Sequence, residues 1–497
     1  MTAPVSAPAE TGKTPVVIRL LVVATFTVIL NETIMINAIP RLAEDFDVSY
    51  NAAQWLSTAF LLTMAAVIPV TGWFLQRVTT RAAFATAMIT FAVGTLLALV
   101  APTFWVLLAA RIIQASGTAV MMPLPMTTLM TVVAVQDRGR VMGNVTLAIS
   151  VAPALGPAVS GVLLQLGSWR LIFATMLPIA VGVTVASMRK LQNVGEPQAG
   201  EIDWPSVPIA ALGFGGLVYG LSEFANGDRL RPILFVVAGA IAIAVFAARQ
   251  IVLMRTGAPL LDLRVLRHRT YRLSLIVMSI AFMAMLGAMI LLPLYLQEVR
   301  GLSPLETGLL VMPGGLAMGL MGPRVGALFD RFGSRLLVLP GSIAIVLSLF
   351  AFTQVGADTA YPLILAVHIL MMIGLAALFT PVFTLGLGDV PMNLYSHGSS
   401  MLGTIQQVAG AFGTALVITL MTSRTNDRLD EGATLQAATI DGMQLAFLVS
   451  AVIALVVIVL VTMLPNRAAV DPHTDLDTEL EELDDEVEEL SPGTTAS

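Results

Sequence analysis

The stretch that decides the fold is residues 20–39, LLVVATFTVILNETIMINAI, which contains a single ionisable side chain, Glu32. A helix needs about 20 mostly apolar residues to cross the hydrocarbon core of a bilayer. Similar apolar runs recur along the chain between short polar breaks. An ionisable carboxyl group inside such a run is costly and usually has a functional role. The sequence therefore predicts a protein that crosses the membrane many times, with Glu32 at a functional position.

The composition of the whole chain excludes a water-soluble fold. Of its 497 residues, 57% are hydrophobic and 12% are charged, and the mean hydropathy is +0.86. A water-facing surface would be about 25–35% charged. The chain has no cysteine, which excludes disulfides, thiolate zinc sites and thiol catalysis. We expect no cofactor, no metal site, no nucleic-acid partner and no enzyme activity.

The apolar runs predict about fourteen membrane-spanning helices and the orientation of the chain. The predicted spans lie near residues 16–39, 52–75, 83–101, 104–132, 143–166, 171–188, 206–224, 232–254, 273–296, 305–328, 336–354, 361–385, 398–422 and 442–464. An even number places both termini on one side of the membrane. Most Lys and Arg residues of the predicted loops lie on that side, so the positive-inside rule puts both termini in the cytoplasm. We expect a multi-pass protein of the cytoplasmic membrane.

An internal repeat suggests how the spans are grouped. Residues 72–81, GWFLQRVTTR, follow the second predicted span, and the similar residues 326–335, GALFDRFGSR, follow the tenth. Similar turns at the second position of two six-span blocks indicate a duplicated bundle. The predicted divisions are an N-terminal tail (1–15), a six-helix bundle (16–188), two linker helices (189–254), a basic linker (255–272), a second six-helix bundle (273–465) and an acidic tail (466–497).

Several motifs in order resemble those of a known family. The two turns resemble the cytoplasmic loop motif of the major facilitator superfamily, Gly-x-x-x-Asp-Arg-x-Gly-x-Arg. Residues 30–40 (LNETIMINAIP), 111–119 (RIIQASGTA), 152–161 (APALGPAVSG) and the stretch 293–313 resemble motifs of its fourteen-span drug:proton antiporter family. The pattern is similar to the branch that includes lincomycin-resistance exporters.

The chain departs from the family pattern at a few positions. Asn31 stands where the family has an Asp in the first span, and the acid follows one residue later at Glu32. One residue is a turn of about 100° around a helix. Gln76 and Thr79 replace the Asp and Gly of the first loop motif, and Ala115 and Ser160 also replace glycines.

The resemblance implies an all-α major facilitator fold, with two six-helix bundles around a central cavity and two helices inserted between them. It implies alternating access and export of lipophilic or monocationic drugs and similar small molecules in exchange for protons. The partners are then a small-molecule substrate, protons and the lipid bilayer, and we expect a monomer. Two alternatives remain open: a dedicated exporter of a metabolite or lipid, and a sensor or receptor that has the transport fold without transporting.

Glu32 and Arg111 are the candidate proton-coupling residues. Each lies seven residues from the predicted outer end of its span, which is about 10 Å at 1.5 Å per residue. A helix movement that changes their distance or hydration would change the proton affinity of the carboxyl group. The alternative is a static structural ion pair.

Three further sets of candidates complete the predicted site. The substrate-cavity candidates are Asn31, Asn37, Gln114, His368 and Gln406. The antiporter motif consists of Pro153, Gly156, Pro157 and Gly161. The cytoplasmic gate consists of Gly72, Arg77, Gly326, Asp330, Arg331 and Arg335, and we expect its stronger half at Asp330 because Gln76 has lost the charge.

Overall fold

The computed structural model describes residues 14–194, 197, 200–224, 230–255 and 259–467. The predicted tails, 1–15 and 466–497, lie almost entirely outside the described residues. The described part of the chain contains α-helices with short 3-10 and π turns, and no strand. The prediction of an all-α protein is confirmed.

The first bundle is formed by eight α-helical segments. They are α1 (Val16–Ile34), α2 (Ile39–Asp45), α3 (Tyr50–Arg77), α4 (Thr80–Leu99), α5 (Phe104–Met121), α6 (Pro123–Val132), α7 (Arg138–Leu166) and α8 (Arg170–Lys190). The predicted first span, 16–39, does not continue as one α-helix to residue 39. After Ile34 it becomes a 3-10 turn, Met35–Ala38, before α2 starts. Pro40, near the start of α2, has no N–H to donate to the preceding turn, which explains the break.

The inserted pair and the second bundle follow. The inserted helices are α9 (Ser206–Ala210), α10 (Gly216–Glu223) and α11 (Leu230–Leu253), and the second bundle contains α12 (Arg269–Leu294), α13 (Pro304–Phe332), α14 (Arg335–Phe352), α15 (Tyr361–Gly388), α16 (Tyr395–Asp430) and α17 (Leu435–Thr462). Within the described residues, thirteen helices are long and apolar enough to cross a membrane. The predicted seventh span, 206–224, is not among them. It is a helical run interrupted by a π turn, Ala211–Gly215.

Glycines allow the inserted helices to pack closely. A Cβ added at Gly220 would lie 2.7 Å from the backbone N of Val236, and one at Gly239 would lie 2.6 Å from that of Leu217. Only glycine lets two helix backbones approach to this distance, as is common in membrane helices. The inserted pair is therefore a tightly packed unit.

Hydrogen bonds at the two loop motifs reveal the internal repeat. The backbone N–H of Arg81 donates to Asn193 Oδ1, and that of Arg335 donates to Asn466 Oδ1, both at 3.1 Å. Asn193 follows α8 and Asn466 follows α17, the last helix of each bundle. Equivalent residues of the two halves thus make equivalent bonds.

Both described ends of the chain lie at one end of the molecule, which we call the terminal face. Asn144 Nδ2 in α7 donates to Thr14 Oγ1 at 3.0 Å, and Ser334 N before α14 donates to Asn466 O at 2.8 Å. The even number of spans predicted from the sequence would give such a placement, and the side of the membrane on which it lies stays a prediction.

Candidate functional site

Asn31 and Glu32 occupy the last turn of α1 but have different surroundings. Asn31 is fully buried, and within the described residues neither side-chain polar atom has a hydrogen-bond partner. Glu32 is half-buried. An unsatisfied buried amide costs about 1–3 kcal/mol, so Asn31 is a polar group that packing alone does not explain.

Arg111 is buried in the first bundle and is held by uncharged partners. Its Nε donates to the carbonyl of Leu56 at 3.3 Å and its Nη1 donates to Gln114 Oε1 at 3.0 Å. The guanidinium lies 4.2 Å from the centre of the Phe60 ring, a favourable cation–π geometry. Gln114 in turn donates to Thr95 Oγ1 at 2.9 Å. Gln114, predicted to line the cavity, therefore supports Arg111.

Glu32 and Arg111 interact through space without a direct bond. Each charge acts electrostatically on the other. The ion pairs formed by described residues, with N–O distances up to 4.0 Å, do not join these two groups. The geometry thus differs from a static bonded ion pair.

The antiporter motif lies in α7 and contacts the helix that carries Glu32. A Cβ added at Gly156 would overlap Thr33 Oγ1 and lie 2.7 Å from Thr33 Cβ. Thr33 Oγ1 lies 3.4 Å from the carbonyl of Ala152, to which it donates. The residue next to Glu32 is therefore packed directly against the motif.

The same helix contacts the second bundle through other motif residues. A Cβ at Gly161 would lie 3.3 Å from Leu305 of α13, and one at Gly308 of α13 would lie 3.3 Å from Pro157. Pro153 and Pro157 both lie inside α7, where a proline removes a helical hydrogen bond. Helix α7 thus connects α1 to α13.

At the terminal face, Asp330 near the end of α13 contacts the start of α7. Its Oδ1 accepts the N–H of Gly139 at 2.8 Å, and its Oδ2 accepts the N–H of Arg140 at 2.7 Å. A carboxylate is favoured at a helix N-terminus, where N–H groups lack helical partners. Gly326 allows this approach, because a Cβ there would overlap the Gly139 carbonyl. Asp330 thus joins the end of α13 to the start of α7, and its role in a cytoplasmic gate stays a prediction.

The two arginines after Asp330 that were predicted to belong to the gate have other contacts. The guanidinium of Arg331 lies 5.0 Å from the centre of the Phe332 ring. Arg335 begins α14 and bonds Asn466 through its backbone. Gly333 between them has φ +83°, whereas the equivalent Thr79 has φ −65° and caps α4 by accepting the N–H of Ala82. Thr79 can stand where the second motif has a glycine, because the backbone at residue 79 does not have a positive φ.

The second contact between the halves joins α3 to α16. Gln76 Nε2 donates to the carbonyl of Asn393 at 2.7 Å, and Thr71 and Ser400 share a hydrogen bond of 2.9 Å. A Cβ at Gly72 would lie 2.9 Å from His397 Nδ1. Arg77, the other predicted gate residue here, donates to Gln76 Oε1.

The remaining cavity candidates lie in different places. His368 of α15 is buried against α13, where a Cβ at Gly314 would lie 2.5 Å from its Nε2. Gln406 is buried in α16. Asn37 lies in the 3-10 turn after α1, and its side chain is outside the described part of the structure.

Sequence reasoning missed Thr33, Thr71, His397 and Ser400. Thr33 follows Glu32 directly, so its place in the sequence could have marked it as a neighbour of the site. His397 lies one residue before the predicted thirteenth span, but α16 begins at Tyr395 and includes it. Small hydroxyl residues are too common in membrane helices to be singled out without a partner.

A hollow of about 790 Å³ opens in the second bundle, between the ends of α14, α16 and α17 away from the terminal face. Its charged rim includes Arg424, Asp427 and Asp441. None of the site residues predicted from sequence lines it. The described residues contain no cluster of three or more His, Cys, Asp or Glu side chains that could hold a metal ion.

Two six-helix bundles with an inserted pair and ionisable residues inside the spans define a membrane transporter. Comparison with known proteins identifies the family. The Major Facilitator Superfamily profile matches residues 21–414. The uncharacterized MFS-type transporter YcnB of Bacillus subtilis is 38% identical over 444 residues, 89% of this chain and 93% of that protein. Lincomycin resistance protein LmrB of Listeria innocua is 37% identical over 409 residues, 82% of this chain and 86% of that protein.

The fold is also similar to that of a solved transporter. The human organic anion transporter MFSD10 has a TM-score of 0.62 at 14% identity, and the match covers 90% of this chain and 100% of that one. The chain belongs to the Major Facilitator Superfamily, whose members are transporters rather than enzymes.

Proposed function

We propose that the protein is a proton-coupled antiporter that exports lipophilic or monocationic drugs and similar small molecules across the cytoplasmic membrane. The observation that carries this proposal is the position of Glu32 in the apolar first bundle. It lies near Arg111 without being bonded to it, on a helix whose next residue, Thr33, packs against the antiporter motif. A carboxyl group so placed can gain and lose a proton as α1 and α7 move.

The partners of Arg111 support this role for Glu32. Because Leu56 and Gln114 each accept one hydrogen bond from the guanidinium, protonation of Glu32 would not leave a buried cation without hydrogen bonds. A buried ion pair, by contrast, is strongly destabilised when one partner is removed. Arg111 thus provides a fixed positive charge, and a change in its distance from Glu32 alters the proton affinity of the carboxyl group.

The substrate class rests on the relatives and on the charges of the spans. A relative 37% identical to this chain is named for lincomycin resistance. The spans have few acids besides Glu32, so substrates with two positive charges would lack counter-charges. Neutral or monocationic amphiphiles fit this interior best.

The orientation of the chain belongs to the same proposal. The terminal face carries the loops richest in Lys and Arg, including residues 264–272 just before and within the start of α12. The positive-inside rule assigns such loops to the cytoplasm. Both termini and the Asp330 gate are then cytoplasmic.

The test is the substitution Glu32→Gln in purified protein reconstituted into liposomes. Glutamine keeps the shape of the side chain but cannot exchange a proton, so efflux driven by a pH gradient should be lost. Counterflow, in which labelled substrate exchanges for unlabelled substrate, should persist in part. Glu298→Gln is the matched control, because Glu298 is an exposed carboxyl group in the π turn after α12. Gradient-driven efflux equal in Glu32→Gln and the control would remove Glu32 from the mechanism.

The same liposomes distinguish the alternatives. Substrate-dependent proton movement, followed with a pH-sensitive dye, separates an antiporter from a sensor that only binds. Competition between drugs and cellular metabolites or lipids separates a drug exporter from a dedicated metabolite or lipid exporter.

A further inference from the structure

The hollow in the second bundle is a groove whose shape is set by direct contacts. Helix α17 packs against both α14 and α16, and all three helices line the groove. The rings of Phe352 in α14 and Phe447 in α17 stack with their centres 5.1 Å apart, and Gln444 of α17 donates to the carbonyl of Val355 at 2.8 Å. A Cβ added at Gly442 of α17 would overlap a backbone carbonyl of α16. The floor of the groove is therefore joined to both walls.

Charged side chains of both signs line one end of this groove. Arg428 is already paired, with Glu431 at 2.5 Å and with Asp441 at 2.6 Å. Arg424 and Asp427 of α16 also line the groove, and neither forms an ion pair or a side-chain hydrogen bond with another described residue. Three residues of helix separate them by about 4.5 Å along the axis and leave them on one face. A cation and an anion are thus available side by side to a ligand.

The groove becomes apolar on the side of the bilayer centre. Helix α16 runs away from the terminal face and α17 returns towards it. Leu420 lies about one turn before Arg424 in α16, and Leu445 and Leu448 lie about one and two turns after Asp441 in α17. All three leucines therefore lie deeper in the membrane than the charges.

The apolar end of the groove continues as an exposed stripe on α17. The stripe consists of Leu448, Val452, Leu455, Val456 and Val459, whose side chains are 41% to 63% exposed. Their spacing places them on one face of the helix. On a helix that spans the membrane, such a face contacts acyl chains. The groove therefore opens towards lipid.

The length of α17 places the charged end at the level of the lipid headgroups. Residues 441–462 extend from Asp441 to the end of α17, which is about 32 Å at 1.5 Å per residue. The hydrocarbon core of a bilayer is about 30 Å thick. Asp441 and the charges beside it thus lie at the boundary of the core away from the terminal face.

We propose that this groove binds a membrane phospholipid whose headgroup carries both a phosphate and a primary ammonium group, as in phosphatidylethanolamine. Arg424 binds the phosphate, since a guanidinium donates to phosphate oxygens. Asp427, one turn farther from the bilayer centre, accepts from the ammonium group, and the acyl chains follow the stripe on α17. Asp441 and Glu431 disfavour a headgroup with a net negative charge. The inference requires only that the chain spans a membrane.

A fluorophore on an introduced cysteine can report the bound lipid, because the chain has no cysteine. Val452→Cys places it on the stripe, one turn below Leu448 and outside the lining of the groove. The full-length protein is reconstituted in phosphatidylcholine liposomes that contain increasing fractions of phospholipid with a nitroxide quencher on an acyl chain. Half-maximal quenching by labelled phosphatidylethanolamine should need about two- to fivefold less lipid than quenching by labelled phosphatidylcholine, the size expected for an exposed charge pair. Equal quenching by the two lipids would overturn the proposal.

The role of Asp427 is tested by Asp427→Asn in the Val452→Cys protein. A choline headgroup has no N–H to donate, so this substitution should remove the preference for phosphatidylethanolamine and leave quenching by phosphatidylcholine unchanged. Asp430→Asn is the matched control, because Asp430 ends the same helix and does not line the groove. The control should keep the preference. A preference that survives Asp427→Asn would contradict the assigned contact and overturn the proposal.

The role of Arg424 is tested by Arg424→Gln. Both lipids carry the phosphate, so quenching by each should need about two- to fivefold more lipid. Arg231→Gln is the control, because Arg231 is an exposed arginine at the start of α11 that does not line the groove. Equal quenching in the two variants would overturn the proposal.

A third labelled lipid separates this site from one for anionic lipids. Labelled phosphatidylglycerol has the phosphate but no ammonium group, and it should quench less than labelled phosphatidylethanolamine. Stronger quenching by phosphatidylglycerol would overturn the proposal in favour of a site for anionic headgroups. The assay needs neither substrate nor a proton gradient, so its outcome is independent of the Glu32 test.

Discussion

At the scale of single residues, the contact between Gly156 and Thr33 is the closest link between the antiporter motif and Glu32. Thr33 follows Glu32 directly, and its hydroxyl donates to carbonyls of α1 and α7. A side chain at position 156 would have to displace it. The motif glycine therefore sets how near α7 comes to the proposed proton site.

We predict that Gly156→Ala lowers transport and stability together. The added methyl group overlaps Thr33, and overpacking of this kind costs about 1–3 kcal/mol. Transport in liposomes and thermal unfolding in detergent measure the two effects. Gly182→Ala in α8 is the control, because a Cβ there meets nothing within 4 Å. Wild-type transport by Gly156→Ala would show that this contact does not control the cycle.

The sequence could predict some of these residues but not their partners. Glu32 and Arg111 could be singled out from the sequence, because a charged side chain inside an apolar span is costly in lipid and usually has a function. That Leu56, Gln114 and Phe60 hold Arg111 depends on how α3, α4 and α5 pack. Likewise, the shift of the acid from Asn31 to Glu32 was readable, but only the packing shows that Asn31 is fully buried while Glu32 stays half-buried.

At the scale of elements, α7 is the helix that contacts both the proposed proton site and the opposite bundle. The middle of α7 packs against Thr33 of α1. The N–H of Gly139, in the first turn of α7, donates to the carboxylate of Asp330 from α13. Glycines on both helices bring their backbones together, as at Gly143 and Gly322. A movement of α1 against α7 is therefore positioned to affect the contact between α7 and α13 that we predict to be the cytoplasmic gate.

We predict that Asp330→Asn weakens the contact between α13 and the start of α7, which is the predicted cytoplasmic gate. The amide can accept through its oxygen but its nitrogen can only donate, so one of the two N–H groups at the start of α7 loses its acceptor. Hydrogen bonds to charged groups are worth about 1.5–3 kcal/mol, so the closed form should lose about tenfold or more in population. Cysteine accessibility at the terminal face measures this change.

Arg331→Gln serves as the comparison for Asp330→Asn. It removes a neighbouring charge whose guanidinium lies over Phe332 rather than on α7, and it should change accessibility less than Asp330→Asn does. Equal effects of the two substitutions would indicate that general charge at the loop, rather than the cap on α7, controls closure.

At the scale of the whole molecule, the repeat was readable from two ten-residue turns, but the attachment of the basic linker to the inserted helices was not. The equivalent bonds of Arg81 to Asn193 and Arg335 to Asn466 follow from the repeat. The attachment of the linker to the inserted pair through Gln250 has no counterpart in the motif and depends on tertiary packing. The seventh predicted span also differs, because its glycines form a π turn against α11.

The whole-molecule prediction is that a cross-link between α3 and α16 at the terminal face stops transport. Alternating access requires the halves to separate at the terminal face, and Thr71 and Ser400 touch there. In the Thr71→Cys/Ser400→Cys protein, oxidation should abolish substrate counterflow, and a reductant should restore it. Each single-cysteine variant should be insensitive to both treatments, since the chain has no other cysteine. Counterflow that continues in fully cross-linked protein would mean that substrate passes while α3 and α16 stay together, which a cycle with two rocking bundles does not allow.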